Sequence, residues 1–141
     1  MDIDDLVDTF EMLGDWEERY RYLIELGRKL PEMPETEKDD AHKVRGCMSQ
    51  VWLAHTRHDG AEPVLEFRGD SDAHIVKGLI ALLFKLTSGK TARQILDTDI
   101  GSAFNRLGLD NHISMNRRNG FYAMTERIKQ MAAQSLGDAA H

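Results

Sequence analysis

The chain contains one cysteine, Cys47, and the chemistry open to it depends on whether that thiol reaches solvent. Gly46 precedes it, and the polar pair Ser49-Gln50 follows after Met48. A glycine lets the backbone bend and lets a second molecule come close. A thiolate on such a loop can attack a sulfur atom held by a partner. The competing reading is a small buried hydrophobe, because free cysteine is among the most buried residue types. Local sequence by itself weighs toward that blander reading.

The other chemistry-bearing residues are less ordered. The histidines His42, His55, His58, His74, His112 and His141 are scattered, and none pairs with Cys47 at the spacing of a zinc site. No metal site is expected. A Cys–His hydrolase stays open, because its base meets the thiol in space and not in sequence. Arg117 and Arg118 fall at the expected start of the last helix, where cations oppose the helix dipole. That conflict suits a pair that holds an anion or a partner's carboxylate, although two solvated surface arginines explain it as well. Asp70 and Asp72 read as structural acids at a helix N-terminus. Trp52, among strand residues, reads as core.

These residues need elements to position them. Ile3, Leu6, Val7, Phe10 and Leu13 recur at helical spacing. Gly14 interrupts, and Asp15 with Glu18 gives a capping-box pattern for a second helix, whose face carries Trp16, Tyr20, Leu23, Ile24 and Gly27. Pro31 and Pro34 end it, and a polar loop runs from about Glu35 to Ala41. Val44 to Gly46 reads as a short strand before Cys47. Val51 to Arg57 and Val64 to Arg68 read as two strands joined through the Asp59-Gly60 turn, with Pro63 at a strand start. Asp70 or Ser71 is expected to cap a helix carrying Ile75, Val76, Leu79, Ile80, Leu82, Leu83 and Leu86, closed near Gly89. Thr91 and Gln94 form a second capping-box pattern for a short helix through Leu96. A further short helix is expected over Ser102 to Leu107. The last should run from about Asn116 to Leu136, with Phe121, Met124, Ile128, Met131 and Ala132 on its apolar face. Helices, then a small antiparallel sheet, then helices make the α+β class.

Bulk properties bound the rest. A chain of 141 residues fits one domain, 1–141, and can bury a core without disulfides or a structural metal. The formal net charge of −6 argues against a general nucleic-acid binder. No apolar run reaches the roughly 18–20 residues of a membrane span. The acidic start and the single cysteine point to the cytoplasm.

Four blocks, in order, carry a family resemblance. They are Trp16-Glu-Glu-Arg-Tyr with Ile24-Glu-Leu-Gly-Arg-Lys-Leu-Pro31, Val44-Arg-Gly-Cys-Met-Ser-Gln-Val-Trp52, Gly69-Asp-Ser-Asp-Ala-His-Ile-Val-Lys-Gly-Leu-Ile80, and Ser114-Met-Asn-Arg-Arg-Asn-Gly120. From about Phe10 to Ala132 the chain resembles the SufE family of desulfurase activators. The resemblance implies an α+β fold similar to the IscU-type scaffolds. It implies Cys47 as persulfide acceptor and Arg117 as the arginine near the acceptor site, while Arg118 has no counterpart carried over. The implied partners are a SufS-like cysteine desulfurase, which alone would hold pyridoxal phosphate, and a SufB-containing scaffold complex. No cofactor is implied for this chain. The resemblance also implies an acceptor loop tucked against an apolar cavity, with Met48, Val51 and Trp52 as candidate lining. A Csd-type acceptor serving another sulfur pathway shares these features. A cluster scaffold is disfavoured, because clusters are held by several cysteines. An adaptor whose cysteine is merely core is the remaining rival.

Overall fold

The computed structural model describes residues 3–47 and 49–139, with side chains through Gly137. Met48 and His141, singled out in the sequence, lie outside the described residues. Helix α1 spans Ile3–Leu13 and α2 spans Trp16–Arg28, the latter capped by Asp15, whose Oδ1 accepts the Glu18 N–H at 2.8 Å. On α2 the deeply buried residues are Leu23, Leu26 and Gly27, and Ile24 is only half-buried.

Strands β1 (Val51–His58) and β2 (Val64–Ser71) pair antiparallel, from Val51 opposite Ser71 to His58 opposite Val64. A two-residue strand, β3 (Lys90–Thr91), adds to β2 and gives the order β1-β2-β3. Two residues are too few to leave a period-two signal, so β3 has no signature in the sequence. Helix α3 (His74–Thr87) follows β2, then α4 (Ala92–Asp97), α5 (Ile100–Arg106) and the long α6 (Met115–Ala139). Thr91 and Gln94 close the full capping box on α4. Phe121, Met124, Ile128, Met131 and Ala132 are all buried on α6. This is the α+β arrangement expected. No helix among the described residues is long and apolar enough to cross a membrane.

Two expectations change. Val44 to Gly46 is not a strand. The segment before Cys47 touches β1 through one bridge, Lys43 to Trp52, because the chain turns away at Gly46. Nor do Asp70 and Asp72 cap α3. Pairing in β2 continues through Ser71, so these residues are spent in or beside the strand, and the cap position falls to Ala73 without a side-chain bond. Ser71 Oγ accepts only the Ala73 N–H, at 3.2 Å. Asp70 instead meets Lys38 at 2.7 Å and Lys77 at 3.4 Å. Burial opposes its ionisation, yet Lys38, the Ser71 N–H and Lys77 together hold its carboxyl below the usual carboxylate range.

Helix α3 is the centre of the molecule. From Val76 to Thr87 only Lys77 and Lys85 escape full burial. A helix apolar on all sides belongs inside. The α2–α3 contact is backbone to backbone. A Cβ on Gly27 would lie 2.7 Å from the Gly78 nitrogen, and one on Gly78 would strike the Leu23 carbonyl oxygen.

Gly78→Ala should therefore cost stability despite its better helix propensity, by about 3 kcal/mol or somewhat more, because backbone must move. Gly137→Ala meets nothing within 4 Å and should gain up to about 1 kcal/mol. Thermal unfolding followed by circular dichroism should show opposite Tm shifts. Equal shifts would contradict the close crossing.

Candidate functional site

Cys47 lies on a loop closed at its base by backbone bonds. Val44 N–H donates to Val51 O at 2.9 Å, and Leu53 N–H donates to His42 O at 2.9 Å. Gly46, at φ +89°, reverses the chain just before the cysteine. That left-handed conformation disfavours any side chain, although the space itself would admit one. Past the cysteine, Asp72 pins the loop. Its Oδ1 accepts the Gln50 N–H at 3.0 Å, and its own N–H donates to Gln50 O at 3.3 Å. The acids that the sequence assigns to a helix start thus serve the loop and the sheet.

The thiol is half-buried and turns toward α6, where Sγ lies 3.6 Å from the Gly120 carbonyl oxygen and donates to it. A Cβ at Gly120 would stand 3.4 Å from that sulfur. Gly120 went unassigned in the sequence, but a signal existed. A glycine inside a helix costs about 1 kcal/mol against alanine, so its place in the early turns of α6 asks for a reason. The close approach of Cys47 supplies one.

The sulfur borders a cavity of about 310 Å³. Val51 from β1, Val76 and Leu79 from α3, and Phe121 and Met124 from α6 are its buried apolar lining. Ser49, Ser114, Asn116 and Arg117 supply the polar side. Of the expected lining, Val51 takes part. Trp52 does not, because period-two alternation turns it to the other face of β1, opposite Asp70. It is half-buried there.

Arg117 and Arg118 are both in the first turn of α6 and part company. Arg118 Nη1 donates to the Asp110 carbonyl oxygen at 3.0 Å and so braces the preceding turn. Arg117 is exposed, borders the cavity and makes no ion pair among the described residues. Its backbone N–H is satisfied by Ser114 Oγ at 3.2 Å, a cap at the helix start. No histidine lines the cavity among the described residues, so the base that a Cys–His hydrolase needs is not beside this thiol.

Burial pushes the Cys47 thiol above its ordinary pKa. A thiol in that state is mostly protonated at neutral pH and reacts slowly, since the thiolate is the nucleophile. The arrangement holds a sulfur against an apolar pocket and keeps it quiet.

Known proteins resemble this chain over nearly its whole length. The family model described as SufE, the Fe-S metabolism associated domain, matches residues 4–132. An uncharacterized SufE-like protein of Rhizobium meliloti is 48% identical over 135 residues, covering 95% of this chain and 96% of that protein. Another, from Rhizobium etli, is 47% identical over 131 residues, covering 92% and 88%. A hypothetical protein from Thermus thermophilus, solved in solution, shares the fold with a TM-score of 0.75 over 96% of both chains, at 19% identity. By its matched length and its near-full-length relatives, this chain belongs to the SufE family, whose domain is associated with iron–sulfur metabolism.

Proposed function

We propose that Cys47 is a persulfide acceptor, which takes sulfur from a SufS-like cysteine desulfurase, stimulates it, and hands the sulfur on for iron–sulfur cluster assembly. The observation that supports this most directly is the placement of the chain's one thiol. It sits on a pinned, glycine-hinged loop, beside a cavity wide enough for an added sulfur atom.

The step balances without an external oxidant. The desulfurase carries a persulfide, Cys–S–SH. The Cys47 thiolate attacks the outer sulfur, its new S–S bond forms as the desulfurase's S–S bond breaks, and the desulfurase cysteine leaves as a thiolate. The rate then depends on the thiolate fraction, alignment and access of the attacking sulfur. Pyridoxal phosphate belongs to the partner, and this chain needs no cofactor. A SufB-containing scaffold complex is the proposed receiver, and the cytoplasm the proposed compartment.

The closed position gives protection, since an exposed thiolate or persulfide is open to oxidation. It also imposes a cost, because the loop must leave the pocket for in-line attack. The partner therefore draws the loop out, and the Gln50–Asp72 pair is what yields. Arg117, exposed on the cavity's edge with no ion pair of its own among the described residues, is placed to meet a carboxylate of the partner.

Incubated with desulfurase and cysteine, the protein should gain the mass of at least one sulfur atom, removable by reductant. Cys47→Ser should fold, gain no such mass and give no stimulation, because a hydroxyl is a far weaker nucleophile near neutral pH. A serine variant that stimulates like wild type would end this assignment. Arg117→Ala should shift stability by about 0.5 kcal/mol or less and still lower the stimulation. Stimulation unchanged across a range of protein concentrations would remove its docking role.

The raised thiol pKa has a definite sign. In the isolated protein, iodoacetamide alkylation should climb with pH around a midpoint above that of the urea-unfolded chain. Asp72→Ala, which frees the Gln50 N–H, should bring the midpoint down and raise the rate at neutral pH. A folded midpoint at or below the unfolded one would show that Cys47 is not held in the pocket.

A further inference from the structure

A second cavity, of about 340 Å³, opens between the 41–42 segment, the free edge of β1 and the C-terminal half of α6. His42, His55, Arg127, Gln130 and Gln134 contribute its polar side chains, and no carboxylate is among its lining residues. His55 is the unusual member. It continues the Val51–Leu53 row of β1, so alternation turns it inward, yet its imidazole makes no hydrogen bond to any described residue. The ring leans on Phe67, at 6.4 Å between centroids, and its nitrogens, without a hydrogen-bond partner among the described residues, are left for a ligand in the cavity.

Its neighbours are hydrogen-bond donors. Arg127 uses one guanidinium nitrogen, Nη2, on the Ala41 carbonyl oxygen at 2.8 Å, which fixes the side chain and leaves its other N–H groups to spare. Asp39 takes His42 Nδ1 at 2.7 Å and leaves Nε2 available. Gln130 and Gln134, four residues apart, share one face of α6 and bring amide donors. The donors thus approach from a loop, a strand and a helix.

We propose that this cavity binds a small tetrahedral oxyanion of the phosphate or sulfate class, free or as the terminal group of a larger ligand, with Arg127 and His55 as its principal contacts. Donors from three directions suit an anion with acceptors all round, whereas a planar carboxylate would be met by the Arg127 fork alone. Binding is coupled to a proton. Burial first, then the charges of Arg68 on β2, His42 and Arg127, hold the His55 imidazole below its usual pKa. Glu37 already matches Arg68 at 2.7 Å, and Asp39 matches His42. An arriving anion opposes Arg127 and favours imidazolium, so affinity rises as pH falls through the His55 titration. The site is independent of Cys47 and of the sulfur-transfer reading.

The test is histidine NMR of the full chain, with His55 assigned by loss of its signal in His55→Asn. Inorganic phosphate is titrated at constant ionic strength, with chloride as the balancing salt. Saturable shifts of His55 and an upward move of its titration midpoint are expected. Arg127→Gln should weaken binding about tenfold or more, the loss of a charge-assisted contact. Gln134→Glu keeps the Arg127–Ala41 bond, sets a carboxylate in the cavity and should weaken binding similarly, so it decides the matter if Arg127→Gln does not fold. Sulfate should compete, and tighter binding of glycerol phosphate than of phosphate would assign the oxyanion to a larger ligand. Linear shifts that chloride reproduces, acetate binding as tightly as phosphate, or full affinity in Gln134→Glu would each overturn the proposal.

Discussion

The closeness of α2 and α3 governs the rest of the molecule. Gly27 and Gly78 let the two backbones touch, with no room for a Cβ on either side. That brings α2 down onto one flank of α3 while β2 covers another. Gly69 plays the same part on the sheet side, where a Cβ would come within 2.9 Å of Leu53 and 3.0 Å of Phe84. Packed interiors respond to volume changes of a single methylene, so Gly27 and Gly78, which face backbone, fix the helix spacing, while Gly69 faces side-chain ends that would have to shift. Helix α3 then offers Val76 and Leu79 to the cavity beside Cys47 at a set depth.

Around that frame the Cys47 loop is held by a few polar contacts and little packing. Backbone bonds to β1 close it before the cysteine, and the Gln50–Asp72 pair closes it after. A hydrogen bond of this kind is worth roughly 0.5–1.5 kcal/mol net, more when one partner is charged. A loop held this way has a definite position at a small cost in free energy. The half-burial of the sulfur is what lowers its thiolate fraction and so slows its reaction. Gly46, at φ +89°, turns the chain so that the thiol stays at the border of the cavity and not wholly inside the core.

Several charged side chains brace the ends of elements. Lys129 on α6 donates to the carbonyl oxygens of Ile95, Leu96 and Thr98, at 2.7, 2.9 and 2.6 Å, and so closes the C-terminus of α4. Arg118 does the same for the turn before α6. The acidic residues Asp70 and Asp72 are used one by one, for Lys38 and Lys77 in the first case and for the Cys47 loop in the second. The Lys129, Lys38 and Gln50 pairings join residues more than 20 apart in the chain, and each is a tertiary fact.

Local pattern was enough for most elements. Helical periodicity located α1, α2, α3 and α6, and Thr91 with Gln94 marked the start of α4, because amphipathic spacing and caps act over three or four residues. The four ordered blocks carried the family, and with it the expectation for Cys47. The sequence could not place Asp72 against Gln50, Gly120 against the thiol, or Trp52 away from the cavity, nor show that β2 runs on through Ser71 where a helix cap was expected. A cap pattern and a strand end look alike in Asp70-Ser71-Asp72, since both use short polar side chains on extended backbone. Which one forms depends on whether a partner strand continues alongside. Here Val51 and Trp52 do continue, and only the fold brings them there.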